Sequence, residues 1–390
     1  MNSFIQLLLP GVTLLLTFLI YVNPKNVNVK GNKWLGLFMF CFFILTIEQS
    51  LKIAKIDISK NFINEIISIQ AFIIAPVFYI SICFFINPNR KWQKKDNFHF
   101  AFVTLYILFL IYIVFFLTEN SKVQINKNSI FFTIISLIFI VFFGLQFIVY
   151  CFLSYLKLAK HQKSILVFSS TRENVDLKWL EYIVIGAVII GLIYSFDNLF
   201  ELHTADFVVV NLIYLAGIFV IAYYAMKQKE IYPFTTSQKE EVMDIVKESF
   251  IQTDLKKKLL SDEKLEEFKS ELISLMIIEK PFLDTELSII KLAEQMKIST
   301  HLLSYLINNG FNENFYQFVN RYRVEEAKQK LINESMNHLS LIGIAYEVGF
   351  NSKTVFFKTF KKNTGLTPME FKINNLNVVP IDKSELLEKI

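Results

Sequence analysis

Leu339-Ser-Leu-Ile-Gly-Ile-Ala-Tyr-Glu-Val-Gly-Phe-Asn-Ser-Lys-Thr-Val-Phe-Phe-Lys-Thr-Phe-Lys-Lys-Asn-Thr-Gly365 decides how the last quarter of this chain folds. Its apolar residues recur at helical spacing on both sides of Gly349, and Gly365 stops the second run, so the stretch reads as helix, tight turn, helix. An earlier stretch repeats the pattern: Leu287-Ser-Ile-Ile-Lys-Leu-Ala-Glu-Gln-Met-Lys-Ile-Ser-Thr-His-Leu-Leu-Ser-Tyr-Leu-Ile-Asn-Asn-Gly310. Ala345, Gly349 and Phe350 correspond to Ala293, Lys297 and Ile298 at an offset of 52, which becomes 53 in the second helix.

Between the copies, Asn314 to Glu334 puts Phe315, Phe318, Val319, Tyr322, Ala327 and Leu331 on one face of a helix about 30 Å long. That length spaces two helix-turn-helix units by about one duplex turn, roughly 34 Å, so the second helix of each could enter successive stretches of a major groove. Asn314 with Gln317, and Thr367-Pro-Met-Glu370, have the residues of capping boxes and mark two helix starts.

Ile344-Ala-Tyr-Glu-Val-Gly-Phe-Asn-Ser-Lys-Thr-Val-Phe-Phe-Lys-Thr-Phe-Lys-Lys362 and Gly365-Leu-Thr-Pro-Met-Glu-Phe371 resemble the signature of AraC-type (AraC/XylS) transcription regulators. The resemblance implies that His301, Ser304 and Tyr305 face bases from the first unit, and Lys353, Thr354, Phe357 and Lys358 from the second. It also implies that Leu303, Leu306, Ile307, Phe356 and Phe360 are core. Double-stranded DNA is the expected partner, with RNA polymerase as a second contact and a homodimer allowed. Lys361 and Lys362 have no acidic neighbour between Val348 and Met369, which suits phosphate contacts that position a helix without reading sequence. Two departures stand out: Tyr305 replaces a residue that is basic in many relatives, and Lys297 replaces the glycine favoured in the first turn.

Residues 1–226 are a different kind of sequence. Hydrophobic residues make up 53% of the chain, with 41 Phe, and they concentrate here in long runs. Seven spans are expected, at 4–22, 34–51, 62–86, 98–117, 130–155, 179–200 and 207–226, each long enough to cross about 30 Å of hydrocarbon. Alternate loops carry twelve Lys and Arg on one side, from Lys25 to Lys178, against five on the other, so the positive-inside rule puts the N-terminus outside. Trp34, Trp92 and Trp179 fall at expected inner ends, where interfacial rings are favoured. Cys41, Cys83 and Cys151 lie singly in separate apolar runs and read as small buried hydrophobes.

The expected fold is all-α, a seven-helix transmembrane bundle followed by a cytoplasmic double helix-turn-helix domain. Its parts are a membrane domain at 1–226, a charged helical linker at 227–280 with Ser261 as an N-cap, a DNA-binding domain at 281–373 and a tail at 374–390. The expected setting is the cytoplasmic membrane of a bacterium, with lipid around the first part and the C-terminus inside. The apolar half is also similar to seven-span domains joined to AraC-type domains, around Ala75-Pro-Val-Phe-Tyr79 and Asn97-Phe-His-Phe100, which implies a sensor of an unidentified signal molecule. Asp197 and Glu201, i,i+4 on one helix face with His203 following, are its candidate site, because ionisable groups beside a span are functional candidates.

No HExxH, GxSxG or phosphate-binding glycine loop occurs, so neither enzyme chemistry, a metal nor a cofactor is implied. The alternative reading is a seven-span receptor or transporter whose C-terminal helices bind a protein. The charge asymmetry makes a test: reporter fusions active only in the cytoplasm should be active after Lys95, Lys163 and Lys229 and silent after Lys55 and Asn120. The opposite pattern would reverse the orientation.

Overall fold

The computed structural model describes residues 2–23, 25, 27–54, 63–112, 130–173, 175–199, 207–231, 236–250, 260–336 and 338–375. All its regular elements among these residues are helices. The chain divides into two compact units: Met1–His161 with Leu177–Ile231, and Gln162–Asp176 with Tyr232–Ile390.

The first unit holds α1 (Asn2–Val22), α2 (Val29–Ile53), α3 (Ile63–Ile86), α4 (Ala101–Tyr112), most of α5 (Ile130–Phe168), α6 (Lys178–Leu199) and α7 (Phe207–Lys227). Among the described residues four stretches are long and apolar enough to cross a membrane: Phe4–Val22, Val29–Ile47, Ile69–Ile86 and Leu137–Phe168. Asn211–Lys227 is apolar but shorter. Some polar side chains of this unit bond along their own helices, as where Thr13 donates to the Leu9 carbonyl and Thr17 to that of Thr13, both at 2.7 Å, and others bond between helices, as where Gln146 donates to the Phe72 carbonyl.

Two expected spans take a different form. The fourth, 98–117, begins inside a 3-10 turn over Lys94–Phe100, continues as α4 to Tyr112, and then leaves the described residues. The fifth, 130–155, is the start of a 39-residue helix that runs on to Phe168. Lys157, Lys160 and Lys163 mark the end of the apolar run, but lysine is a good helix former and nothing there stops the backbone.

The second unit contains α8 (Thr236–Phe250), α9 (Asp262–Ile278), a 3-10 turn at Pro281–Leu283, α10 (Ile289–Gln295), α11 (Thr300–Gly310), α12 (Phe315–Ile332), α13 (Leu341–Glu347), α14 (Lys353–Thr364) and α15 (Pro368–Asn375). Ser261 caps α9 as expected, accepting from the Lys264 amide. Both capping boxes form: Asn314 with Gln317 opens α12, and Thr367 with Glu370 opens α15.

The duplication is reproduced bond for bond. Ser288 and Ser299 cap α10 and α11, and Ser340 and Ser352 cap α13 and α14. Within the turns, the Ile298 amide donates to Ala293 at 3.1 Å and the Phe350 amide to Ala345 at 3.0 Å. Lys297 and Gly349 both take positive φ, 57° and 90°. Asn351 is the inserted residue that changes the offset, since one residue precedes the α11 cap after Lys297 and two precede the α14 cap after Gly349.

Helix α12, about 27 Å long at 1.5 Å per residue, joins the two helix-turn-helix copies. Phe315, Phe318 and Val319 are buried near its start, and Val324, Ala327 and Leu331 pack with Ile344, Phe350, Phe356 and Phe360 of the second unit. Arg323, wholly buried, lies on the i,i+4 line between Val319 and Ala327. Its Nε donates to the Phe282 carbonyl at 2.7 Å, Nη2 to the Asp284 carbonyl at 2.8 Å and to Ser170 Oγ at 3.1 Å, and Nη1 to the Ser170 carbonyl at 3.1 Å. Burial pulls this guanidinium down to about 10, which still leaves it charged at neutral pH. Burying an ion costs several kcal/mol, which bonds of roughly 1.5–3 kcal/mol each from a charged donor offset.

Gly349 packs against the same point. A Cβ there would lie 2.4 Å from the Phe282 carbonyl oxygen and 3.0 Å from Arg323 Nε, whereas at Gly365, also of positive φ, it would meet nothing within 4 Å. Gly349→Ala should therefore cost about 3 kcal/mol or more and Gly365→Ala about 1 kcal/mol, the left-handed strain alone. Pulse proteolysis of the full chain in urea measures both, and equal losses would contradict the close approach.

Candidate nucleic-acid interface

Helix α14 is divided into two faces by its own spacing. Phe356 and Phe360, i,i+4, are buried, while Lys353, Thr354, Lys358, Lys361 and Lys362 are exposed. Phe357 is half-buried, with the Lys353 ammonium 5.7 Å from its ring centre. Among the described residues none of these four lysines forms an ion pair, although Lys361 favours the Glu370 carboxylate electrostatically, so the open face of α14 is predominantly basic. Ser352 fixes its start and Gly365, at φ 78°, its end.

In the first unit, residues at the same helical positions are placed differently. Thr300 corresponds to Lys353, His301 to Thr354, Ser304 to Phe357 and Tyr305 to Lys358. Thr300 is 4% exposed and Ser304 8%, while His301 and Tyr305 are half-buried. The Thr300 amide donates to Glu241 Oε1 of α8 at 3.1 Å. Ser304 lines a cavity of about 300 Å³ together with Asn308 and Phe315 and with Lys163, Leu166 and Val167 from the end of α5.

The five residues expected as core in the two reading helices, Leu303, Leu306, Ile307, Phe356 and Phe360, are all buried. Asp197 falls within α6, and Glu201 and His203 lie outside the described residues. Among the described residues no group of three His, Cys, Asp or Glu side chains is placed to hold a metal. Cys41 and Cys83 are buried, Cys151 is half-buried, and all three are free thiols.

Sequence reasoning overlooked Arg323, Asn320 and Ser170. The signal was there for the first: an arginine in the line Val319, Arg323, Ala327, Leu331, where every other member is apolar, must either break the ridge or be buried with partners. Nothing in the sequence near Ser170 points to it, because its partners are 150 and 153 residues away.

Residues 292–373 match a family model described as a helix-turn-helix domain. The chain is 37% identical over 81 residues to an uncharacterized HTH-type transcriptional regulator in the cgkA 5' region of Pseudoalteromonas carrageenovora, covering 21% of this chain and 39% of that protein. It is 38% identical over 71 residues to the uncharacterized transcriptional regulatory protein YesN of Bacillus subtilis (strain 168), covering 18% of this chain and 19% of that one. It thus spans about two fifths and one fifth of the length of these relatives. Among solved structures, the C-terminal domain of AraT, a response regulator from Geobacillus stearothermophilus, aligns at 23% identity with a TM-score of 0.25, over 30% of this chain and 91% of that one. The C-terminal part of the chain thus matches a helix-turn-helix domain, and both of these relatives are named as transcriptional regulators.

The two kinds of lysine on α14 should separate in binding assays. Lys358→Ala is expected to cost roughly 1–3 kcal/mol and to relax preference at one base pair, while Lys361→Ala weakens binding to all sequences and lowers the salt slope by about one. Uniform loss from both would mean that Lys358 touches phosphate only.

Proposed function

We propose that this protein is a membrane-embedded one-component transcription regulator, which binds specific duplex DNA through its two helix-turn-helix units while its apolar half senses a signal. The observation that carries the reading is the open basic face of α14, presented by a unit that duplicates α10 and α11 bond for bond. Helix α12, at about 27 Å, holds the units at a separation suited to one duplex turn of roughly 34 Å. His301, Ser304, Tyr305, Lys353, Thr354, Phe357 and Lys358 are the proposed base-facing residues, with Lys361 and Lys362 on phosphates.

The membrane part of the reading rests on surface chemistry. Leu137, Ile140, Ile148 and Phe152 of α5 are each 60% exposed or more, a run of apolar area that water would penalise and acyl chains would not. Trp34 stacks on Trp92 at 5.5 Å, Trp179 meets Phe85 edge-on at 5.9 Å, and Lys25 donates to the Met226 carbonyl, so the tryptophans and several basic residues share one end of the unit. That grouping suits an interfacial belt on the cytoplasmic side of a seven-span protein with its N-terminus outside. Asp197, Glu201 and His203 remain the proposed signal site, and RNA polymerase and a second copy the proposed protein partners.

Genome-wide mapping of DNA crosslinked to the full-length protein in intact cells tests the reading. Discrete sites sharing one motif with two half-elements about ten base pairs apart are expected. Recovery of DNA no greater than from cells lacking the protein would overturn it and favour a protein-binding role for the C-terminal helices.

A further inference from the structure

The two reading helices differ in what covers them, and the difference is an internal control, because the same positions of the same motif are compared in one chain. On α14 the first helical residue, Lys353, is exposed; on α11 its counterpart, Thr300, is buried and its amide is bonded to a carboxylate, Glu241. A helix N-terminus is where backbone amides meet phosphate, so Glu241 holds an anionic group where a DNA backbone would put its own. Lys163, Leu166 and Val167, from the end of α5, line the same cavity as Ser304 and Asn308.

The segment that brings these residues to α11 is fastened two residues beyond α5. The Ser170 carbonyl accepts from Arg323 Nη1 and from Asn320 Nδ2, both at 3.1 Å, and its hydroxyl accepts from Arg323 Nη2. Its amide donates to the Leu287 carbonyl at 3.2 Å, and Ser169 forms an antiparallel bridge with Ser288. The arginine's other acceptors are also neutral, the carbonyls of Phe282 and Asp284 and Oδ1 of Asn320, so withdrawal of Ser170 would let water reach a charged group and would break no ion pair.

We propose that residues 162–171 and α8 form an autoinhibitory clamp, latched on Arg323 through Ser170, that keeps α11 from DNA while α14 stays free to bind. This rests on the DNA reading proposed above. Because the latch sits in the connection between α5 and α6, a rearrangement of either helix pulls on it through the chain itself. Release converts a protein that engages one groove segment into one that engages two.

The test uses the full-length protein in lipid nanodiscs and a duplex containing its mapped site. Ser169→Cys with Ser288→Cys locks the latch, since bridged residues lie within disulfide reach, and reduction of the same sample controls for folding. Ser170→Pro removes the amide donor and the hydroxyl acceptor and opens it, while Glu241→Ala loosens α8 and leaves Arg323 untouched. By hydroxyl-radical footprinting, the oxidised lock should protect one segment, and Ser170→Pro two segments about one turn apart with affinity raised about tenfold or more; Glu241→Ala should show a smaller gain in the same direction. Two protected segments from the oxidised lock, or wild-type footprint and affinity from both opening variants, would overturn the clamp alone. No binding to any duplex by wild type, lock and opened variants alike would overturn the DNA reading together with it.

Discussion

The guanidinium of Arg323 is the contact on which the C-terminal half of the molecule depends. It is wholly buried, it belongs to the helix shared by both helix-turn-helix units, and it donates to main-chain oxygens of Phe282, Asp284 and Ser170. A buried cation without a carboxylate partner is tolerated only where neutral acceptors are fixed at the right distances, so each of those segments is held in place by the need to satisfy the others. The glycine of the second turn completes the arrangement by letting the Phe282 carbonyl come within a distance that a methyl group would forbid.

That constraint explains why the two units, alike in their hydrogen bonds, are unlike in their surroundings. Gly349 is wedged against the Pro281–Leu283 turn, whereas Lys297 at the matching place carries an exposed side chain and accepts a left-handed backbone at a cost of about 1–2 kcal/mol. The glycine that the family resemblance leads one to expect is thus kept where another segment passes close by, and is absent where the side chain can reach water.

Much of this architecture was legible in the residues. The repeat at 52 and 53 positions anticipated the helix, turn and helix of each copy, and five expected core residues in these helices are buried, because local spacing acts over a few residues. The open face of α14 could be read for the same reason: a run of lysines opposite two phenylalanines has one sensible orientation. What escaped was the covering of α11, since the agents, Glu241 and Leu166 among them, are 59 residues or more from it in the chain and carry no pattern that names their partner. The continuation of α5 to Phe168 escaped too, because a reading tuned to lipid stops at the first lysines while the backbone does not.

The Ser170 contact also has a bearing on how the molecule is made. Arg323 and Ser170 are 153 residues apart, and everything between them, including two further helices of the first unit, leaves the ribosome before the arginine does. Closing so long a loop is slow, and the core around Arg323 is incomplete until it closes. The local contacts of the C-terminal half are therefore expected to form first, and the stretch that follows α5 to dock on Arg323 afterwards. A chain whose apolar half went astray would leave Arg323 without its two Ser170 acceptors, and its C-terminal half more open to proteolysis.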